Sequence, residues 1–220
     1  MSTEELCVRA VDLGRAKLYL ANGIVLLPAL ADQYDAIVSD PPYGIGYDPS
    51  NPGNTKWRDV TGIVGDSEPF DPCPLLAWAK PTVLFGANNF ASRLPDSRAW
   101  FVWDKRPGMK CMCFSDCELA WCSEDGPARM IRYVWTGAHR GPERGEHWHP
   151  TQKPVEVMRW IIESVTRPGD VVLDPYMGSG TTGVAALSCG RRFIGIEIVE
   201  RWFQAAETRI RRELDQGRLF

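Results

Sequence analysis

The sequence lacks any apolar run approaching the ~18 residues of a membrane-crossing helix, which excludes a helical membrane span as an expectation. It lacks a surplus of positive charge, its net charge being −3. Nucleic-acid binders often carry a basic face, so any such face here has to be local. It has only three histidines, His139, His147 and His149, and no acid or cysteine stands with them at a ligand spacing. Its seven cysteines are an odd number, which speaks against a disulfide framework. Cys111, Cys113, Cys117 and Cys122 cluster, but without the paired C-x-x-C knuckles of structural zinc sites. No metal is expected. Internal repeats and low-complexity segments are also lacking.

What is present is ordinary for a globular chain: 220 residues, 44% hydrophobic and 24% charged. One domain over residues 1–220 is the expectation, burying about 70% of its unfolded surface. The acidic start, Met1-Ser2-Thr3-Glu4-Glu5, lacks a signal-peptide pattern, so a soluble cytoplasmic protein is expected.

The most informative stretch is Ser39-Asp40-Pro41-Pro42-Tyr43-Gly44. The apolar run Tyr34–Val38 before it reads as a buried strand, and Gly44 and Gly46 after it read as a loop. A carboxylate, two prolines and an aromatic ring thus stand at the carboxyl end of a strand, where open α/β sheets bind ligands. Proline has no N–H, so Asp40-Pro41-Pro42 presents a rigid surface rich in acceptors. Such a surface suits an all-donor group, such as the exocyclic amino group of adenine or cytosine. Acceptors on both amino hydrogens draw that nitrogen towards tetrahedral geometry and free its lone pair. Tyr43 offers a face for stacking a base.

Near the other end, Val171–Asp174 reads as a strand. The turn Pro175-Tyr176-Met177-Gly178-Ser179-Gly180-Thr181-Thr182 follows, and Gly183–Leu187 reads as a helix. Arg191–Glu197 is a further strand ending in an acid. Glu197 follows Gly178 by about the 20 residues of the dinucleotide fingerprint, a spacing that puts a carboxylate near ribose hydroxyls. The loop has no third glycine, and Asp174 stands where a pyrophosphate would be repelled. S-adenosylmethionine is therefore favoured over NAD.

Asp40-Pro41-Pro42-Tyr43, His149-Pro150-Thr151-Gln152-Lys153-Pro154 and Asp174-Pro175-Tyr176-Met177-Gly178-Ser179-Gly180-Thr181 together resemble the motifs of the amino-group (N6-adenine/N4-cytosine) DNA methyltransferases. Their order, catalytic first and cofactor loop last, resembles the permuted β-type of that family. The likeness runs from about Leu18 to about Ile210. It implies an α/β, Rossmann-like, S-adenosylmethionine-dependent fold, a mixed and mostly parallel sheet with helices on both faces. It implies Asp40, Pro41, Pro42 and Tyr43 as catalytic residues. It implies cofactor contacts from Asp174, Tyr176, Gly178, Ser179, Gly180, Thr181, Glu197, Thr151 and Lys153. The family usually has a Gly-Asp pair where this chain has Ala21-Asn22, and Asn22 is carried as a further cofactor residue. DNA is the implied partner. Adenine N6 is the favoured target because Asp precedes Pro-Pro-Tyr, with cytosine N4 as the alternative. A bacterium, or a virus of one, is the implied source. A homodimer is left open.

Two local features suit DNA. Gly44–Gly65 is polar, with Lys56 and Trp57 placed for phosphate contact and stacking. Lys105, Arg106 and Lys110 form a basic stretch, and loops within residues 105–149 have the room to read a target sequence. Short helices are expected at Val25–Leu30, Pro72–Ala79 and Asn88–Leu94, and strands at Ala16–Leu20, Pro81–Gly86 and Ala99–Lys105. Glu118–Cys122 and Met130–Trp135 are expected as antiparallel strands. Val155–Val165 and Glu200–Leu214 are expected as amphipathic helices, the last with a solvated basic face. A dinucleotide-dependent oxidoreductase explains the glycine loop but leaves Asp40–Tyr43 unexplained. A catalytically inactive DNA-binding relative is the other reading from a different class.

Overall fold

The structure is a computed structural model that describes residues 3–48, 60, 62–78, 80–109, 115–135 and 147–216. Nine strands form one sheet: β1 (Arg9–Asp12), β2 (Ala16–Leu20), β3 (Ala36–Ser39), β4 (Thr82–Phe85), β5 (Trp100–Asp104), β6 (Cys117–Cys122), β7 (Arg129–Arg132), β8 (Val171–Asp174) and β9 (Arg192–Glu197). Their spatial order is β1-β2-β9-β8-β3-β4-β6-β5-β7. From β2 to β4 every pairing is parallel, and β1 and β6 run against their neighbours. The helices are α1 (Thr3–Leu6), α2 (Gly23–Leu26), α3 (Cys73–Leu76), α4 (Val155–Val165), α5 (Thr181–Ser188) and α6 (Glu200–Gln216).

Alternation along the central strands sends neighbouring side chains to opposite faces. Val38, Val83 and Val172 pack with Val157, Ile161, Ala185, Phe203 and Ile210 of α4, α5 and α6. Ile37, Leu84 and Leu173 face the other way, onto Leu26, Leu30 and Leu75. Helices therefore cover both faces of a mixed, mostly parallel sheet, as expected. Strands β3 and β4 are buried along their whole length, which is why continuous apolar runs marked them.

Several local expectations change. Met130–Trp135 contributes β7, which pairs parallel with β5, while β6 alone is antiparallel to both β4 and β5. Asn88–Leu94 forms two 3-10 turns, Ala87–Asn89 and Ala91–Arg93. The edge strand β1 is mostly exposed, so no apolar pattern announced it. The basic residues of α6 are not all solvated: Arg209 is 7% exposed and points into the molecule. Among the described residues no helix is long and apolar enough to cross a membrane.

The chain order of the motifs matters less than the sheet order. β3 and β8 are adjacent and parallel, with β4 beyond one and β9 beyond the other. Sequence continuations thus diverge on either side of the β3–β8 pair. That divergence is a topological switch point, with a crevice at the carboxyl ends of the strands.

Candidate functional site

A cleft of about 1400 Å³ opens at that switch point, and Asp40–Tyr43, Thr151–Lys153, Asp174–Ser179, Thr181 and Glu197 all line it. Two motifs more than 130 residues apart in sequence meet directly. Ser39 Oγ donates to Asp174 Oδ1 at 2.7 Å, tying the end of β3 to the end of β8.

Asp174 is buried and fully engaged. Its Oδ1 also accepts from Tyr176 N at 3.0 Å, and Oδ2 accepts from Thr182 Oγ1 at 2.5 Å. Burial pushes its carboxyl up to about 6 against those hydrogen bonds. Glu197 closes the same turn from β9. Its Oε2 accepts from Gly178 N at 2.9 Å and its Oε1 from Val199 N at 2.8 Å. Burial raises it to about 7. Gly180 takes φ +79° as the residue before α5, a conformation that disfavours a side chain. Arg209 Nη1 donates to Ser179 O, Ser179 Oγ and Thr181 Oγ1 at 2.8, 3.1 and 3.0 Å, pinning the loop from α6. Asn22 Oδ1 caps α2 by accepting from Ile24 N and Val25 N, while its side chain borders the cleft.

The Asp40–Tyr43 segment is held from a distance by Asp66, which is 4% exposed. Its carboxylate accepts from Tyr43 N and Gly44 N at 2.8 Å and from Tyr47 N at 2.6 Å. The Tyr43 ring lies flush on Gly86, where a Cβ would fall 2.0 Å from Tyr43 Cε1. The Tyr43 hydroxyl donates to Asp40 Oδ1 at 2.5 Å. Beyond the stacking face that the sequence suggests, the residue thus adds a hydroxyl bond to the Asp40 carboxylate.

The larger difference concerns Lys153. The motif resemblance carried it as a cofactor residue, yet its Nζ donates to Asp40 Oδ2 at 2.5 Å and lies 3.3 Å from Glu118 Oε2. Lys105, expected to face phosphate, donates to Glu118 Oε1 at 3.1 Å. Arg106, expected beside it on DNA, is 11% exposed with Nη1 3.9 Å from Asp116. Lys56, Trp57 and Lys110 lie outside the described residues, as do Cys111, Cys113 and His139. His149 packs edge-on against Trp202, and burial, with Lys153 nearby, drives it down to about 3, so it is neutral at pH 7. Thr151 Oγ1 meets its Nδ1 at 3.0 Å.

Asp66, Glu118, Arg209 and Gln152 are the site residues that sequence reasoning missed. Each acts on partners far away in sequence or, for Gln152, sat unassigned inside a quoted motif. Gln152 Oε1 accepts from Trp148 N, while its buried Nε2 has no hydrogen-bond partner among the described residues and the side chain lines the cleft. A buried donor without a partner is costly, so the cleft is suited to a ligand bearing an acceptor.

A family model described as DNA methylase (N6_N4_Mtase) matches residues 78–208, more than half of the chain. The chain belongs to this DNA methylase family. The type II methyltransferase M2.DpnII of Streptococcus pneumoniae is 33% identical over 173 residues, 74% of this chain and 62% of that protein. The putative methylase YubD of Escherichia coli K12 is 49% identical over 76 residues, 33% of this chain and 34% of that protein. The chain therefore spans about three fifths or less of these relatives. Among solved structures, an M1.HpyAVI–SAM complex is 26% identical with a TM-score of 0.55, covering 89% of this chain and 98% of the other. The cytosine-N4-specific PvuII DNA methyltransferase shares the fold, with a TM-score of 0.59 at 15% identity, covering 91% of this chain and 90% of the other. Within the family match lie Glu118, Lys153 and the whole loop from Asp174 to Thr181.

Proposed function

We propose that the protein methylates the exocyclic amino nitrogen of a base in DNA, with S-adenosylmethionine as donor and adenine N6 as target. The observation that carries this reading is the meeting of Asp40–Tyr43 and Asp174–Thr181 in one cleft at adjacent strand ends. The likeness to the type II methyltransferase M2.DpnII and to the M1.HpyAVI–SAM complex supports it. The favoured adenine target rests on Asp preceding Pro-Pro-Tyr, and cytosine N4 is the second reading. When bound, the cofactor supplies an electrophilic methyl group.

This chain's own residues do the rest. The carboxylate of Asp40 and the carbonyls of the proline pair accept the amino hydrogens and stabilise positive charge growing on the nitrogen. Gln152 Nε2 and the carboxylate of Glu197, itself held by the backbone N–H groups of Gly178 and Val199, would hold the cofactor. A target within a duplex has to be turned out of the stack, at a cost of a few kcal/mol. Labelled S-adenosylmethionine and unmethylated phage DNA, followed by mass spectrometry of the nucleosides, test the reading. N6-methyladenine is expected. N4-methylcytosine would select the alternative target, and cofactor binding without any methylated base would leave the inactive DNA-binding reading.

Two further expectations follow from the geometry. Tyr43→Phe keeps the ring and its seat on Gly86 and should retain activity within about tenfold. Tyr43→Ala should cost about ten- to a hundred-fold, the ~1–3 kcal/mol of one base–aromatic stack. Tyr43→Trp should overpack against Gly86 and lower the melting temperature. Rates and melting curves on the three variants check this, and a Phe variant as inactive as Ala while normally folded would refute the stacking role.

Cofactor affinity should also depend on pH. Glu197 is raised to about 7 in the protein without ligand, and an ionised carboxylate accepts ribose hydroxyls best. Affinity should therefore rise about tenfold between pH 6 and 8, with a proton released on binding near pH 6. Calorimetry in buffers of different ionisation enthalpy measures both. Glu197→Gln should flatten the profile, and a flat wild-type profile would remove Glu197 from the ribose.

A further inference from the structure

Four charged side chains alternate in sign through the floor of the cleft: Lys105, Glu118, Lys153 and Asp40. Lys105 Nζ is 3.1 Å from Glu118 Oε1, Lys153 Nζ is 3.3 Å from Glu118 Oε2, and Lys153 Nζ is 2.5 Å from Asp40 Oδ2. The four side chains are between 9% and 23% exposed. They come from the end of β5, from β6, from the turn before α4 and from the end of β3, so tertiary structure alone assembles them. Two cations balance two anions. Asp40 occupies the terminal position, the only one of the four on the Asp40–Tyr43 segment.

Geometry separates Lys153 from a cofactor ligand. Its ammonium contacts Asp40, the Tyr43 hydroxyl at 3.2 Å and Glu118. It also lies 5.7 Å from the centre of the Tyr43 ring and 5.5 Å from that of Phe85. Every one of these partners belongs to the Asp40 side of the cleft. An ammonium so placed does two things for Asp40. It fixes which carboxylate oxygen is engaged, and it supplies the counter-charge that keeps a poorly solvated carboxyl ionised. Only the ionised form is purely an acceptor; the protonated form would present a donor to an amino group that is itself all donor. Without Glu118, the long flexible stem of Lys153 would be anchored at one end only.

We propose that Lys153 and Glu118 are positioning residues for the proposed methyl transfer: Glu118 anchors the Lys153 ammonium, and Lys153 holds the Asp40 carboxylate ionised and in register with the target amino group. The inference rests on the reading of Asp40 as the catalytic acceptor. The charged and titratable groups facing Asp40 are Lys153 and the Tyr43 hydroxyl by direct bonds, Glu118 from β6, and Asp174 from β8. Burial raises the Asp40 carboxyl and Lys153 opposes that rise. Removing the ammonium therefore has to raise it further. Removing the Glu118 charge does not, since a negative neighbour raises a carboxyl and its loss lowers it. The two substitutions thus carry different signatures.

The test uses the full chain with Lys153→Met, Lys153→Arg and Glu118→Gln. Asp40 is titrated by carboxyl-carbon NMR, assigned with Asp40→Asn. S-adenosylmethionine affinity is read by calorimetry, and pH–rate profiles are taken with labelled cofactor on unmethylated phage DNA. Lys153→Met should move the Asp40 titration and the acid limb of the rate upward by about one unit or more, and lower kcat at least tenfold. Lys153→Arg should hold both midpoints near wild type. Glu118→Gln should lower kcat about tenfold without an upward shift. Cofactor affinity should stay within about threefold in all three. If Lys153→Met weakens S-adenosylmethionine tenfold while the Asp40 titration stays in place, Lys153 is a cofactor ligand and the proposal is overturned. Unchanged kcat in Glu118→Gln would overturn the anchoring role. If Lys153→Met does not fold, Lys153→Gln, uncharged and polar, takes its place with the same expected upward shift, and an unmoved Asp40 titration there overturns the proposal. The NMR titration needs no turnover, so absence of methylation by the wild-type protein would count against the proposed reaction and leave the Lys153–Asp40 coupling separately readable.

Discussion

Asp40→Ala should lower methylation by about a thousand-fold or more while S-adenosylmethionine affinity stays within a few-fold. Asp40 stands at the end of β3 with one oxygen on the Tyr43 hydroxyl and the other on Lys153, and none of its contacts belongs to the Gly178–Thr181 turn. Removing a single preorganised group that faces developing charge costs about 10²–10³ in rate. Here the loss compounds, because Lys153 is left with Glu118 alone and Tyr43 loses its acceptor. Breaking a buried ion pair also destabilises, so a lower melting temperature is expected. Asp40→Asn keeps the volume and separates the two effects, since it should stay close to wild type in folding while remaining severely impaired in turnover. The decisive measurement is the single-turnover rate at saturating cofactor. A near-normal rate in either variant would sink the assignment of Asp40 as the acceptor.

Gly180→Val should damage the protein more broadly. The resemblance implies Gly180 as a cofactor contact, where an added side chain would meet the cofactor. The structure gives a different reason. A Cβ on Gly180 would point away from the cleft onto α6, 2.9 Å from Ala206 Cβ, 3.1 Å from Ala206 Cα and 3.3 Å from Ile210 Cδ1. Two of those three contacts are to a short side chain or backbone that cannot swing aside. The φ of +79° adds strain for a β-branched residue. Overpacking and strain together amount to ~2–5 kcal/mol, a large part of the ~5–15 kcal/mol that holds a typical domain folded. At ~2–4 °C per kcal/mol for a chain of this size, the melting temperature should drop by about 4–20 °C. Shifting α6 also moves Arg209, whose guanidinium holds Ser179 and Thr181. Cofactor affinity should therefore fall at least tenfold as a second consequence. Gly178→Ala is the contrast: its φ is +51°, yet a Cβ there finds its nearest neighbour 3.9 Å away at His149. It should lower the melting temperature by only a few degrees. Differential scanning calorimetry and titration calorimetry on both variants read the difference. Equal melting temperatures for the two would refute the packing argument.

Legibility in the sequence followed the range of the physical signal. Strands β3, β4 and β8 were visible because burial on both faces leaves nearly unbroken apolar runs, and α4 because Val155, Met158, Ile161, Ile162 and Val165 recur at helical spacing. The Asp40–Tyr43 and Asp174–Thr181 stretches were visible because prolines and glycines at strand ends are local chemistry. What lay hidden depends on partners remote in sequence. Edge strand β1 buries too little to leave a pattern, and the parallel pairing of β7 with β5 is a choice of neighbour that periodicity does not encode.

The sequence by itself determined the class of fold, the strand-end loops and the residue types available for amino-group chemistry. Only the tertiary structure decided their partners. It turned Arg209 inward to pin the glycine turn, and it closed Asp66 over the backbone after Asp40. It also set Lys153 against Asp40 and turned Lys105 onto Glu118. The reason is physical. A buried charge must find an opposite charge or a set of hydrogen bonds, and which partner lies within reach is set by sheet order, not by position in the chain.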